Sequence, residues 1–86
     1  MKARGYSLDV LADRVAELFD IEPDEIYSAG KYKKRVQARN VFSYWAVREL
    51  GETATSLAKK IGISQPAVSM LVERGEKIIK EMDFEL

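Results

Sequence analysis

The stretch Ala54–Glu73, which reads ATSLAKKIGISQPAVSMLVE, constrains the fold of this 86-residue chain more than any other. Thr53 and Ser64 are typical residues for capping the start of a helix, and Gly62 can adopt the left-handed conformation that ends one. Pro66 then falls in the first turn of a second helix, where its missing N–H is tolerated. The apolar residues expected to hold the two helices together are Leu57, Ile61, Ile63, Val68 and Leu71, with small Ala58 beside them. The stretch therefore predicts a helix-turn-helix.

Apolar periodicity predicts three more helices before this stretch. Their expected bounds are Leu8–Phe19 with Ser7 as its N-cap, Pro23–Ser28, and Val36–Leu50, which is the longest. The second helix of the helix-turn-helix is expected to run from Gln65 to about Lys80, with Gly75 on its inner face. No stretch has the alternation of a strand. We therefore expect an all-α fold, a small bundle of about five helices that forms one domain over residues 1–86, with loose ends at 1–6 and 82–86.

Charge is unevenly distributed, although the chain contains 14 Lys and Arg and 14 Asp and Glu. Residues 31–48 contain six basic side chains and no acidic one, whereas the segments on either side are net acidic. Since phosphates are neutralised locally, such a band allows a protein of zero net charge to bind DNA. Within the band, KYKKR at residues 31–35 predicts a basic loop that contacts phosphates or the minor groove.

Several classes of function are disfavoured by composition. The chain has no Cys and no His, which removes disulfides, Cys/His zinc sites and histidine bases, so we expect no metal or cofactor. The tyrosines have no base or metal-ligand set beside them in the sequence, so we expect no enzyme and no small-molecule substrate. No apolar run approaches the about 20 residues of a membrane span, and we do not expect the first residues to be a signal peptide. The expected location is the cytoplasm, in association with the nucleoid.

The chain resembles a known family over nearly its whole length. The run ARNVFSYWAVREL (38–50), the helix-turn-helix and GEKI (75–78) are similar to the C-terminal DNA-binding domain of the bacterial replication initiator DnaA, which is of the Trp-repressor-like class. The hairpin VAELFDIEPDEIYS (15–28) and KYKKR match its layout. The resemblance implies that the basic loop, at Lys33, Lys34 and Arg35, reaches the minor groove. It also implies that Gly62–Val68 reads the major groove.

The family's base-reading series, Arg-Asp-His-Thr-Thr-Val, is replaced here. The corresponding residues are Ile63, Ser64, Gln65, Pro66, Ala67 and Val68, so that only the Val is kept. An initiator's sequence preference is therefore not implied. Residues 37–78 are also similar to the C-terminal extension of REP-associated tyrosine transposases, whose catalytic His pair and tyrosine lie in a separate domain. The resemblance leaves open a missing catalytic domain, and with it a role in transposition, replication or transcription. Helix-turn-helix domains often dimerise, so a homodimer is left open as well.

Double-stranded DNA is the expected partner. Gln65 is the residue best suited to read an adenine, through a bidentate contact. Met70 is suited to contact a thymine methyl group. The residues expected to contact DNA are Lys31, Lys33, Lys34, Arg35, Arg39, Lys59, Lys60, Ser64, Gln65, Pro66, Ser69 and Met70. Glu73 and Glu76, on or near the same helix, would repel phosphates. The alternative is therefore a protein-interaction module that keeps the fold without reading DNA.

Overall fold

The computed structural model describes residues 7–27 and 33–84. These residues form four α-helices and one short 3-10 helix, and contain no strand. The bounds are α1 Leu8–Phe19, the 3-10 helix Pro23–Ile26, α2 Lys33–Arg48, α3 Ala54–Ile61 and α4 Gln65–Met82. The expected all-α bundle is confirmed, with four α-helices and the 3-10 turn in place of about five helices.

Side-chain caps begin three of the α-helices where the sequence predicts them. Ser7 Oγ accepts a hydrogen bond from the Val10 N–H at 3.2 Å. Thr53 Oγ1 and Ser64 Oγ accept in the same way, from the N–H three residues ahead, at 3.0 and 3.3 Å. Each bond satisfies one of the N–H groups that a helix leaves without an intrahelical partner. Gly62, with φ of 82°, ends α3 in the left-handed conformation.

The core surrounds α2, which contacts every other helix of the described ranges. The largest fully buried apolar side chains come from all five elements and are Phe42, Leu11, Ile26, Leu57, Val15, Val41 and Val68. α2 and α4 cross closely at Gly75. A Cβ atom built there would lie 2.7 Å from the Asn40 carbonyl carbon and 2.8 Å from Tyr44 Cβ. Only glycine allows this approach without displacing backbone.

The predicted basic loop is corrected in part, because α2 begins at Lys33 rather than at Val36. Lys33, Lys34 and Arg35 are therefore helical. Lysine and arginine are good helix formers, and no cap or breaker separates them from the apolar stripe that follows. Lys31 and Tyr32 lie outside the described residues. At its other end α2 stops at Arg48, two residues earlier than expected, and Glu52 N–H donates to the Ala46 carbonyl at 3.0 Å across Gly51.

The second predicted helix and the C-terminus also differ from expectation. The second helix is a single 3-10 turn. At its N-cap, the Glu22 N–H donates a hydrogen bond to Glu25 Oε2 at 2.7 Å. Ser28, its expected end, lies outside the described residues. α4 extends to Met82, and the Phe84 ring packs edge-on against Phe19 with ring centroids 5.5 Å apart. Phe84 therefore has an aromatic partner on α1, within a segment that was expected to be loose.

Candidate nucleic-acid interface

The first two turns of α4 present an uncharged, solvent-exposed face. Gln65, Pro66, Ser69 and Met70 are all exposed, and Met70 retains 50% of its accessible surface. The opposite side of the same turns is buried through Val68 and Val72. Residues four apart share one face of a helix, so these four exposed side chains form one ridge. The structure thus brings together four of the residues predicted to contact DNA.

Polar groups converge where α3 and α4 begin. Gln65 Nε2 donates a hydrogen bond to Thr55 Oγ1, so the first turn of α3 touches the first turn of α4. Ser64 Oγ already accepts from the Ala67 N–H, which leaves its O–H able to donate to another acceptor. Both helix starts carry the positive ends of their helix dipoles. The surface around Gln65 therefore favours an anionic or hydrogen-bonding partner.

Lys33 and Lys34 are exposed in the first turn of α2, which contains no acidic residue. A helix dipole favours anions in this turn and disfavours cations, so placing lysines there costs stability. An anion bound to them would offset that cost. The two lysines also line an open groove of about 440 Å³ together with Ile21, Glu25 and Arg35.

Arg35 and Arg39 connect α2 to the 3-10 helix. Arg35 contacts Glu25 Oε1 through Nη2 at 2.8 Å and through Nε at 2.9 Å. The Glu22 N–H and then the Arg35 guanidinium hold the pKa of Glu25 below its ordinary value. Arg39 Nε donates to the Ile26 carbonyl at 3.2 Å, and burial lowers the pKa of its guanidinium. Both arginines thus have a structural role, which sequence spacing did not reveal, beside any contact with a ligand.

The exposed ridge of α4 lies beside the C-terminal end of α2, whereas Lys33 and Lys34 lie at its N-terminal end. Arg48, in the last turn of α2, lines an open groove of about 400 Å³ with Ser69 and Val72, whereas Asn40 and Tyr44 meet Gly75. α2 and α4 therefore run in opposite directions. Lys33 and Arg48 are separated by about 22 Å along the helix axis, at about 1.5 Å per residue.

The remaining predicted cations, Lys59 and Lys60, are exposed in the last turn of α3. There they complement the negative end of the helix dipole, which stabilises α3 itself. Two exposed cations close to the ridge were not among the predicted contacts, Arg48 beside Ser69 and Arg74 on α4. The signal for Arg74 was present, since it follows Met70 by four residues and therefore lies one turn beyond the ridge on the same side of α4.

The described tyrosines belong to the bundle rather than to an open site. Tyr27 packs edge-on against Phe42 with ring centroids 5.6 Å apart, and burial raises the pKa of its hydroxyl. A phenol with a raised pKa is a weaker nucleophile at neutral pH. Over residues 7–27 and 33–84, no three metal-ligating side chains are grouped so as to hold an ion. Within the same ranges, no helix combines the length and apolarity needed to cross a bilayer.

Comparison with known proteins finds two curated relatives, both described as "Chromosomal replication initiator protein DnaA". The protein of Thermosipho melanesiensis is 31% identical over 71 residues, which are 83% of this chain and 16% of that protein. The protein of Thermosipho africanus is 30% identical over 71 residues, with the same shares. No family model matches. No solved structure matches. These similarities cover most of this chain and confirm its resemblance to the initiators. The chain spans about one sixth of the length of these relatives. The likeness to transposases stays a prediction.

Proposed function

We propose that this DnaA-like chain is a double-stranded DNA-binding module that places the N-terminal half of α4 in the major groove. The observation that carries the proposal is the exposed uncharged ridge of α4, directly after the turn from α3. The two helices then form a DNA-binding helix-turn-helix of the Trp-repressor-like class. Similarity to two proteins described as replication initiators supports this proposal over 83% of the chain.

The ridge has the size and chemistry for base reading. A major groove about 12 Å wide admits one α-helix. Gln65 lies at the tip of α4 and can accept from adenine N6 while it donates to N7. Met70, further along the ridge, is an exposed apolar side chain suited to a thymine methyl group. Ser69 and the Ser64 hydroxyl add hydrogen bonds to a base or a phosphate.

Phosphate contacts are assigned to the N-terminal end of α2. Lys33 and Lys34 are exposed there against the preference of the helix dipole, and a phosphate is the anion that would relieve this cost. The length of α2, about 22 Å from Lys33 to Arg48, then spaces this anchor from the reading helix. That separation is less than the roughly 34–36 Å of one duplex turn, so both ends act within about one turn.

The module is expected to bind weakly as a single copy. Glu73 is exposed on α4 four residues after Ser69, on the same side of the helix, and its carboxylate repels phosphates. Affinity then depends on the lysines of α2, with Lys59 and Lys60 as further cations. We expect a dissociation constant on the order of micromolar for an isolated copy at physiological salt. The preferred sequence differs from an initiator's, because Ile63 and Gln65 replace the family's Arg and His.

The proposal is tested by selecting bound duplexes from a random pool and repeating the selection with Gln65→Ala. The chain is expected to enrich a short site, and the variant to lose the preference at one adenine. Glu81→Ala, on the exposed last turn of α4, is the matched control and is expected to enrich the unchanged site. If no duplex is retained even at low salt, DNA binding is wrong and the protein-interaction alternative is favoured.

A further inference from the structure

We infer that Thr55 is a positioning residue, whose hydroxyl fixes the Gln65 side-chain amide in the orientation that reads adenine. The inference rests on the proposed function, because it assigns the base class to one side chain of the reading helix. It also adds a residue of α3, outside the reading helix, to the determinants of specificity.

The geometry consists of two exposed side chains from two different helix starts. Thr55 is the second residue of α3, and Gln65 is the first of α4. Although they are ten residues apart, the turn at 62–64 returns the chain so that Gln65 Nε2 donates to Thr55 Oγ1. A single hydrogen bond between two exposed side chains is a small contribution to a fold held together by its core, but it restricts the rotamers of both side chains. Its effect is on the orientation of the amide.

The hydrogen-bonding capacity of the amide explains the choice of base. A Gln side chain has two N–H donors and one carbonyl acceptor. Thr55 takes one donor. We assign to it the N–H trans to Oε1, which leaves the other N–H and Oε1 side by side. Adenine presents an acceptor at N7 next to a donor at N6, which matches that pair, whereas guanine presents two acceptors, at N7 and O6. An amide held by Thr55 therefore selects adenine over guanine.

Holding the amide also raises affinity for the selected base. An exposed Gln samples several rotamers, and a bidentate contact requires one of them. Ordering such a side chain on binding costs a factor of about two to ten in affinity. Thr55 supplies this ordering in the free protein, so the cost is already met before DNA is bound.

The test uses the full chain with Thr55→Val, which removes the hydroxyl at nearly constant shape, and Thr55→Ser, which keeps the hydroxyl. Two quantities are measured. The first is the side-chain amide signal of Gln65 in the ¹⁵N–¹H spectrum of the free protein. The second is the ratio of affinities for the selected duplex with adenine and with guanine at the Gln65 position. Unfolding midpoints show that each variant is folded.

We expect Thr55→Val to lose the distinct Gln65 amide signal and to lower the adenine-to-guanine ratio by about two- to ten-fold. Thr55→Ser is expected to keep both. Intact duplex binding with an unchanged ratio in Thr55→Val would overturn this inference alone. No duplex binding by the unmodified chain would overturn the proposed function and this inference together.

Discussion

Gly75 lies where the bundle has no room for a larger side chain. It is buried in α4 where α4 crosses α2, and a Cβ there would meet the Asn40 carbonyl and Tyr44 Cβ inside normal contact distance. The neighbouring carbonyl is part of a helix backbone, which cannot yield as a flexible side chain can. Apolar periodicity predicted that Gly75 lies on the inner face of α4. The backbone contact was not predictable, because it depends on the distance between two helices.

Gly75→Ala is expected to destabilise the protein by about 2 kcal/mol through overpacking. Helix propensity alone predicts the opposite sign, a gain of about 1 kcal/mol for replacing glycine in a helix. Urea unfolding measures the difference. Lys77→Ala, exposed on the same helix, serves as the control and is expected to stay within about 0.5 kcal/mol of the parent. A Gly75→Ala variant as stable as the parent would contradict a backbone contact at this crossing.

Glu25 makes stability depend on pH through its contacts with Glu22 N–H and Arg35. The pKa of Glu25 is lowered in the folded state. Its contribution to the stability of the fold is therefore present above its ordinary pKa of 4.5 and is lost as the pH falls through its pKa in the folded state. We expect Glu25→Gln to lower the unfolding midpoint at about pH 7, and the difference from the parent to vanish in acid. A midpoint difference that is the same at neutral and acidic pH would contradict this assignment.

The helix ends show which features of the elements depend on local sequence. Ser7, Thr53 and Ser64 cap where the sequence predicted, because an N-cap depends only on the next three residues. The start of α2 was misplaced, because a run of Lys and Arg is compatible with a loop and with a helix. The pairs Glu25–Arg35 and Thr55–Gln65 were not predicted, because both depend on how separate helices pack.

The effect of substituting Gly62, in the turn between α3 and α4, on the stability of the protein is expected to depend on backbone conformation alone. Gly62 has φ of 82° and no atom within 4 Å of a built Cβ, so a substitution there meets strain but no clash. Gly62→Ala is expected to cost about 1 kcal/mol in thermal or urea unfolding. Gly62→Asn is expected to cost less, because asparagine tolerates the left-handed conformation. Equal costs for both variants would contradict a purely conformational role.

At the scale of the whole molecule, a neutral chain is proposed to bind a polyanion because its charges are segregated. The bundle measures 27 × 27 × 22 Å, so it faces less than one turn of duplex. The basic band was predictable, since charge is read directly from the sequence. The packing of Arg35 and Arg39 against the 3-10 helix was not, and it leaves Lys33 and Lys34 as the principal exposed cations at that end of α2.

The measurement that tests the central claim most directly is the salt dependence of duplex binding. Each phosphate neutralised contributes about 0.9 to the slope of log K against log salt, so Lys33→Ala/Lys34→Ala is expected to make the slope shallower by about 1.8. Arg14→Gln removes one positive charge from α1, which contacts neither α3 nor α4 within the described residues, and is expected to leave the slope unchanged. Identical slopes for all three proteins, or no salt dependence at all, would contradict a phosphate anchor at the start of α2.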